Sequence, residues 1–340
     1  MVDRAYTEPI RWRDEKVKRV LVIAVIAVLA YLGFSFELPV SDTQVITSSF
    51  GEFRGTGNRG PHFHLGIDLS TRMSSGIPIK AAAGGWLVRI EIDDDDIYGN
   101  VVVLEHPEGF RSLYAHLSAF SEKLSSIVDS AQREFGKNRI ILEFPAGEIE
   151  FQAGEVVGYS GQTGEAAQPH CHFEIRNKDE TCCYDPVDYI SVPRPDNAEF
   201  VVRGLMIESE KYTYREGETY TYTGEFPRIM INAVTAINRN VIGLKEIKLY
   251  FDNALVYHIS FEEIPLEEFN NVWSVYSRES VANGYQYSAW YKLYPDGSSK
   301  VIKENAFPEM GETPSRINVL IECIDQWQEV HPVQFVLERR

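Results

Sequence analysis

Gly158-Tyr-Ser-Gly-Gln-Thr-Gly-Glu-Ala-Ala-Gln-Pro-His-Cys-His-Phe-Glu-Ile175 is the stretch on which the reading of this 340-residue chain turns. Glycine-rich turn chemistry and Pro169 lead into His170-Cys171-His172, and an alternating apolar run follows. Side chains two apart on a β-strand share a face, so His170 and His172 project together while Cys171 points the other way. Two imidazoles on one face can share a metal ion or a substrate atom. An isolated His-x-His is more often two polar residues on a solvated strand face, so a second cluster is needed to give it meaning.

That cluster is Pro61-His-Phe-His-Leu-Gly-Ile-Asp-Leu69. Imidazole nitrogen and carboxylate oxygen both ligate zinc, at about 2 Å. On a straight strand His64 and Asp68 would stand about 13 Å apart, at about 3.3 Å per residue, too far for one ion. Gly66 between them can supply a bend. His64, Asp68 and His172 then make a three-ligand set with a fourth tetrahedral position open, the arrangement of a catalytic rather than a structural zinc site. His62 is within reach, but the three-residue set already fills the protein positions. Tyr114-Ala-His116-Leu117 ends a β-rich segment. His116 and His170 would stand beside the metal as unliganded imidazoles, able to move a proton and stabilise an oxyanion.

His64-x-x-x-Asp68, Tyr114-Ala-His116-Leu117 and Gly161-x-x-Gly164 leading to Pro169-His170-x-His172-Phe-Glu resemble the motifs of the lysostaphin-type, or LytM-like, zinc endopeptidases. The resemblance covers about residues 44–190. It implies one zinc ion per chain on His64, Asp68 and His172, with His116 and His170 as catalytic histidines. It also implies a small antiparallel β-fold with the metal in a groove, and the peptide part of peptidoglycan as substrate. Two departures bear on groove shape and subsite preference: Glu165-Ala-Ala-Gln168 stands where small hydroxylated residues or glycine are usual, and Cys171 replaces a usual leucine.

Composition sets outer bounds. The chain is 44% hydrophobic and 24% charged, an ordinary globular balance with room for two domains. A formal charge of −17 argues against nucleic acid as a partner, because phosphates would be repelled. Residues 1–19 are a basic cytoplasmic region ending in Lys16-Val-Lys18-Arg19, and Val20 to Phe36 carries no charge over 17 residues. This reads as one hydrophobic helix, either a signal peptide or a transmembrane anchor that ties the protein to the membrane. Either way the catalytic part is expected on the exported side, in the cell envelope.

A short linker, 37–43, precedes a peptidase domain at 44–192. Arg54 to Gly60 reads as a flexible loop delivering His64. Trp86–Ile92 and Asn100–Glu105 alternate as half-buried strands around Asp93–Asp96, a run that reads as a solvated hairpin tip rather than a calcium loop. Residues 118–139 have helical spacing, with Phe120, Leu124, Ile127 and Val128 on one face, and 140–151 returns to strand. A similar insertion occurs in some LytM-like relatives from Gram-negative lineages.

After a proline-containing linker, 193–199, residues 200–340 carry about seven short β-runs separated by turns. They suggest an antiparallel, immunoglobulin-like β-sandwich, so the whole chain is expected to be mainly β. A C-terminal domain of this kind accompanies some exported LytM-like peptidases. Its tyrosines can bind carbohydrate or a protein partner, and core packing accounts for most of them equally well. His258 and His331 lack carboxylates at metal-binding sequence spacing, so no second centre is expected there. Cys171 is expected buried behind the metal strand; for Cys171, Cys182, Cys183 and Cys323, export permits disulfides and three pairings are open.

The sequence therefore predicts an exported zinc metallo-endopeptidase acting on peptidoglycan. The alternative is a noncatalytic LytM-like envelope protein that binds and activates a separate wall hydrolase. The complete set of five site residues favours catalysis.

Overall fold

The computed structural model describes residues 36–41, 43, 45–55, 60–92, 97–136, 139–283, 286–309 and 313–340. The basic region and nearly all of the expected signal or anchor fall outside these residues, as do the aspartate run 93–96 and most of the loop ahead of His62. Among the described residues no helix is long and apolar enough to cross a membrane. Residues 37–340 form one compact unit.

The unit is mainly β. Its first half is built on an antiparallel sheet containing β1 (Ile46–Ser48), β4 (Ile67–Ser70), β6 (Gly85–Ile92), β7 (Val101–Glu105), β8 (Phe110–Ala115), β10 (Ile140–Glu143) and β13 (His170–Asn177). Their spatial order is β1-β4-β13-β8-β7-β6-β10. Shorter strands complete this half: β2 (Phe53–Arg54), β3 (His62–Phe63), β5 (Pro78–Lys80), β9 (Ala119–Phe120), β11 (Glu150–Phe151), β12 (Val156–Tyr159) and β14 (Cys182–Tyr184). β7 reads Val-Val-Val-Leu-Glu and is buried throughout, as a strand covered on both faces must be. The one α-helix among the described residues, α1 (Glu122–Phe135), buries Leu124, Val128 and Ala131, an i, i+4, i+7 stripe, and ends at Gly136 with φ 99°. Phe120, expected on this helix, belongs to β9 instead, pairing with Gly158.

The second half contains a sheet of five strands and a sheet of six. Strand 330–339 pairs antiparallel with 316–324 but parallel with Thr219–Tyr222, so the expected purely antiparallel pattern is broken at one edge. Its first strand, Ala198–Ile207, begins inside the expected linker. That linker is held at its start, Trp327 Nε1–H donating to the Val192 carbonyl at 3.0 Å and Arg194 pairing with Glu329 at 3.0 Å.

The two halves share a sheet and a core. β14 pairs with residues 263–265 of the second half. Buried Lys245 Nζ lies 2.6 Å from Asp185 and 2.8 Å from Asp188. Phe53 packs against Trp273 and Tyr276, and Phe63 against Phe261. All four cysteines are free, and Cys171 is fully buried on the face of β13 opposite the histidines.

Candidate metal centre and active site

Register brings the expected ligands together. In the antiparallel pairing of β13, His172 stands opposite Asp68 of β4 on one side and Ala115 of β8 on the other. His116 follows directly after β8. His64 lies between β3 and β4, where the chain turns, so the extended spacing does not apply. Gly66 is needed there for close approach: a Cβ at this position would sit 2.3 Å from the Phe173 carbonyl oxygen. Gly161 plays the same part beside His116, since its Cβ would meet Ser118 N at 2.5 Å and the His116 carbonyl at 2.8 Å.

Three atoms converge. His64 Nε2 lies 3.1 Å from Asp68 Oδ1 and 3.0 Å from His172 Nδ1, and His172 Nδ1 lies 3.0 Å from the same oxygen. The far side of each ligand fixes its state. His64 Nδ1 is 2.8 Å from the Ser49 carbonyl, which can only accept, so the proton is on Nδ1 and the lone pair of Nε2 faces inward. His172 Nε2–H donates to Glu174 Oε1 at 2.9 Å, leaving Nδ1 to face inward. Asp68 Oδ2 accepts from Arg54 Nη2 at 2.9 Å, leaving Oδ1 for the cluster. Inward lone pairs so close are satisfied only by a shared proton or a cation. Ligand atoms about 2.0–2.1 Å from a tetrahedral zinc are roughly 3.3 Å apart, close to the separations here. The donor set fits zinc.

Electrostatics agree with this arrangement. Burial, reinforced by the Arg54 charge, pulls His64 down to about 4, so it is neutral at physiological pH. Burial also opposes charge on Asp68, but the surrounding imidazoles hold its carboxyl well below the usual range. Burial lowers His172, but the hydrogen bonds and charges of Asp68 and Glu174 overcome it and hold the metal-free ring up to about 9, so without a metal Nδ1 carries the shared proton that a cation would displace.

His116 and His170 flank the cluster. Their ring centres are 4.8 Å apart, and that of His116 is 5.6 Å from His172. Each points Nδ1 at a carbonyl, His116 at Thr163 (2.9 Å) and His170 at Gln168 (2.7 Å), which leaves Nε2 basic in both. His170 Nε2 lies 3.4 Å from Asp68 Oδ1. Burial and the neighbouring histidines push His116 well below its ordinary range, so it is neutral and able to accept a proton. His116 has a left-handed backbone with φ 58°, unusual for a non-glycine residue. His62 stands apart from the ligands, stacked on Phe269 with ring centres 4.6 Å apart.

The sequence motifs give the supporting residues no role. Glu174, fully buried, joins His172 to Arg176 at 2.6 Å; Arg176 continues to Glu180 at 3.0 Å, and Glu180 also binds Arg89 and Arg111. A signal existed for the first two. Glu174 and Arg176 have the same strand parity as His170 and His172. Arg54 and Glu52 carry no such mark.

One expectation is corrected. His258 and His331 both have carboxylate partners, Glu246 at 2.9 Å and Asp325 at 3.2 Å, and Asp325, Glu329 and His331 converge as a donor group. The partners come from folding: the 254–260 strand lies against 246–251, and the turn joining the last two strands folds Asp325 onto His331.

Residues 62–133 match the family model described as Peptidase family M23. The match includes His64, Asp68 and His116 and ends before β13. The DD-carboxypeptidase/endopeptidase Mpg of Neisseria gonorrhoeae (strain ATCC 700825 / FA 1090) is 31% identical over 163 residues, 48% of this chain and 30% of that protein. Cell division protein DipM of Caulobacter vibrioides (strain NA1000 / CB15N) is 29% identical over 38% of this chain and 16% of its own length. Lysostaphin of Staphylococcus simulans is 24% identical over 37% of this chain and 21% of its own. The chain thus spans less than a third of each of these relatives. Among solved structures, the catalytic domain of lysostaphin aligns over 42% of this chain and 87% of that one, with 24% identity and a TM-score of 0.28. A zinc-containing peptidase from Vibrio cholerae aligns over 45% and 39%, with 23% identity and a TM-score of 0.30.

Proposed function

We propose, from the match of residues 62–133 to the model of peptidase family M23, that this protein is an exported zinc metallo-endopeptidase that hydrolyses peptide bonds in peptidoglycan. The observation that carries the reading is the convergence of His64 Nε2, Asp68 Oδ1 and His172 Nδ1 within 3.1 Å of one another, each with its far atom engaged elsewhere. These three atoms would hold one zinc ion. When bound, zinc supplies Lewis acidity, making water acidic enough to ionise near neutral pH and polarising a carbonyl.

The chain's own groups do the rest. His116, neutral and with its proton held on Nδ1 by Thr163, takes a proton at Nε2 and returns it to the leaving amine. His170, its Nδ1–H held by Gln168, places its Nε2 beside Asp68; once that nitrogen has taken up a proton it donates toward negative charge developing on the carbonyl oxygen. Residues 44–192 form the peptidase part and 200–340 the β-sandwich part. The names of the relatives, among them a carboxypeptidase/endopeptidase and lysostaphin, support peptide-bond chemistry. The apolar run before Phe36 supports export, with the segment anchoring the protein to the membrane if it is retained.

The test combines metal content with digestion of purified peptidoglycan, following released amines and fragment masses, with His170→Ala and His172→Ala alongside. One zinc per chain and new amine ends from the intact protein alone are expected. Stoichiometric zinc without cleavage would favour the noncatalytic activator, and absence of zinc from a folded, metal-supplemented preparation would defeat the reading.

A further inference from the structure

We propose that the Asp68 side of the metal centre is positioned by a relay that begins in the second half of the chain, Gly243 to Glu52 to Arg54 to Asp68. The second half is then part of the active-site scaffold and not a detachable module. The inference rests on the reading of His64, Asp68 and His172 as the zinc set.

The links are polar contacts of 2.9–3.3 Å running from buried Gly243 and Glu52 through half-buried Arg54 to Asp68. Glu52 is 1% exposed, and its Oε1 accepts from Ser49 N (2.7 Å), Ser49 Oγ (2.9 Å) and Gly243 N (2.9 Å). Its Oε2 faces Arg54 Nη1 at 3.3 Å, and Arg54 Nη2 reaches Asp68 Oδ2 at 2.9 Å. Burial pushes the Glu52 carboxyl above its usual range, but the Arg54 guanidinium and the Ser49 and Gly243 N–H groups can only donate to it and favour the carboxylate. The planar guanidinium fixes the direction between its two partners, as a lysine could not. An aspartate turns readily about its terminal torsion and has two equivalent oxygens. Binding Oδ2 outward presents Oδ1 to the imidazoles.

Glu52 has a second effect. An unneutralised guanidinium beside Asp68 would repel a cation in the same buried setting, where charges are poorly screened. The adjacent carboxylate offsets that charge while keeping the orientation. The loop carrying Glu52 is clamped from the second half: Tyr276 Oη donates to the Gly51 carbonyl at 2.8 Å, and a Cβ at Gly51 would strike the Phe261 ring at 2.4 Å. Gly243 is itself a tight fit. A Cβ there would lie 3.0 Å from Glu52 Cγ and Tyr291 Oη and 3.2 Å from Ser49 Oγ.

That crowding provides a remote probe. In the full chain, zinc affinity by chelator competition, kcat, KM and melting temperature are compared for wild type, Glu52→Gln, Arg54→Lys, Arg54→Met, Gly243→Ala and Val319→Ala. Val319 is a buried residue of the second half outside the relay. We expect Glu52→Gln and Gly243→Ala to weaken zinc binding about 10- to 100-fold and lower kcat with KM little changed. Arg54→Lys, which keeps the charge, retains more affinity than Arg54→Met. Val319→Ala lowers the melting temperature without moving zinc affinity. If Glu52→Gln does not fold, Gly243→Ala and the Arg54 pair decide. Wild-type zinc affinity in folded Gly243→Ala and Arg54→Met, or an equal loss in Val319→Ala, would overturn the relay. A wild type that binds zinc without cutting wall peptides would defeat the peptidase reading alone, and the affinity ratios would still judge the relay.

Discussion

Among the described residues two groups of histidine and carboxylate converge, and their similar donors are oriented in opposite ways. In His64, Asp68 and His172, each outer atom is tied to a partner outside the cluster and each inner atom faces the other two. In Asp325, Glu329 and His331, the inner atoms are already engaged. Asp325 Oδ1 accepts from Trp327 N and Glu329 N, Asp325 Oδ2 faces His331, and Arg194 lies against both acids at 3.6 and 3.0 Å. His331 stacks face to face on Phe200, ring centres 4.4 Å apart. A guanidinium supplies the positive charge that a metal would bring. Donor chemistry alone therefore does not make a metal site; the direction of the outer hydrogen bonds does.

The largest effects should separate the two groups outright. His172→Ala or Asp68→Ala should abolish stoichiometric zinc and hydrolysis, whereas His331→Ala should leave one zinc per chain and full activity, as measured by metal analysis and peptidoglycan digestion. A second equivalent of zinc that is lost with His331 would break the comparison. Next in size, His116→Ala and His170→Ala should each lower kcat by about 10²- to 10⁴-fold while retaining zinc, which divides the centre into ligands and proton-handling groups.

Glu174→Gln sharpens the outer-atom argument. The amide can still accept from His172, but it loses the charge that meets both His172 and Arg176, so zinc affinity should fall about 10- to 100-fold in chelator competition. The smallest effect lies farthest out. Burial opposes ionisation of Glu180, but its bonds to Arg89, followed by the charges of Arg89 and Arg176 and a bond from Arg111, hold it down to about 2. Its folded value is depressed, so its contribution is fully present above about pH 4.5 and is lost as pH falls toward 2. Glu180→Gln should cost about 2 kcal/mol at neutral pH and flatten the melting temperature between pH 4.5 and 2. An unchanged acid slope would show that this end of the network is dispensable.

Much of the centre was legible before folding. His170 and His172 share a face because β-strand geometry alternates side chains, and the same rule extends to Glu174 and Arg176, two residues further than the motif reading went. The helix core of Leu124 and Val128 followed from 3.6-residue periodicity, although Phe120 did not, because a short run before a helix fits either period. The role of Gly66 was only half legible. A glycine announces an unusual backbone need, but whether that need is a bend or room for Phe173 depends on the neighbouring strand.

By itself the sequence determined what local covalent geometry can determine: mainly β segments, the three motifs, and the common face of the strand that carries two of the five site histidines and acids. Tertiary structure alone decided what stands across from them. Asp68 meets His172 through antiparallel register, Arg54 reaches Asp68 from a separate two-stranded sheet, and Gly243 meets Glu52 from a segment remote in the chain. The physical reason is that alternation is fixed by bonds along the backbone. The partner of a buried charge is instead selected by which surfaces the whole chain removes from water together.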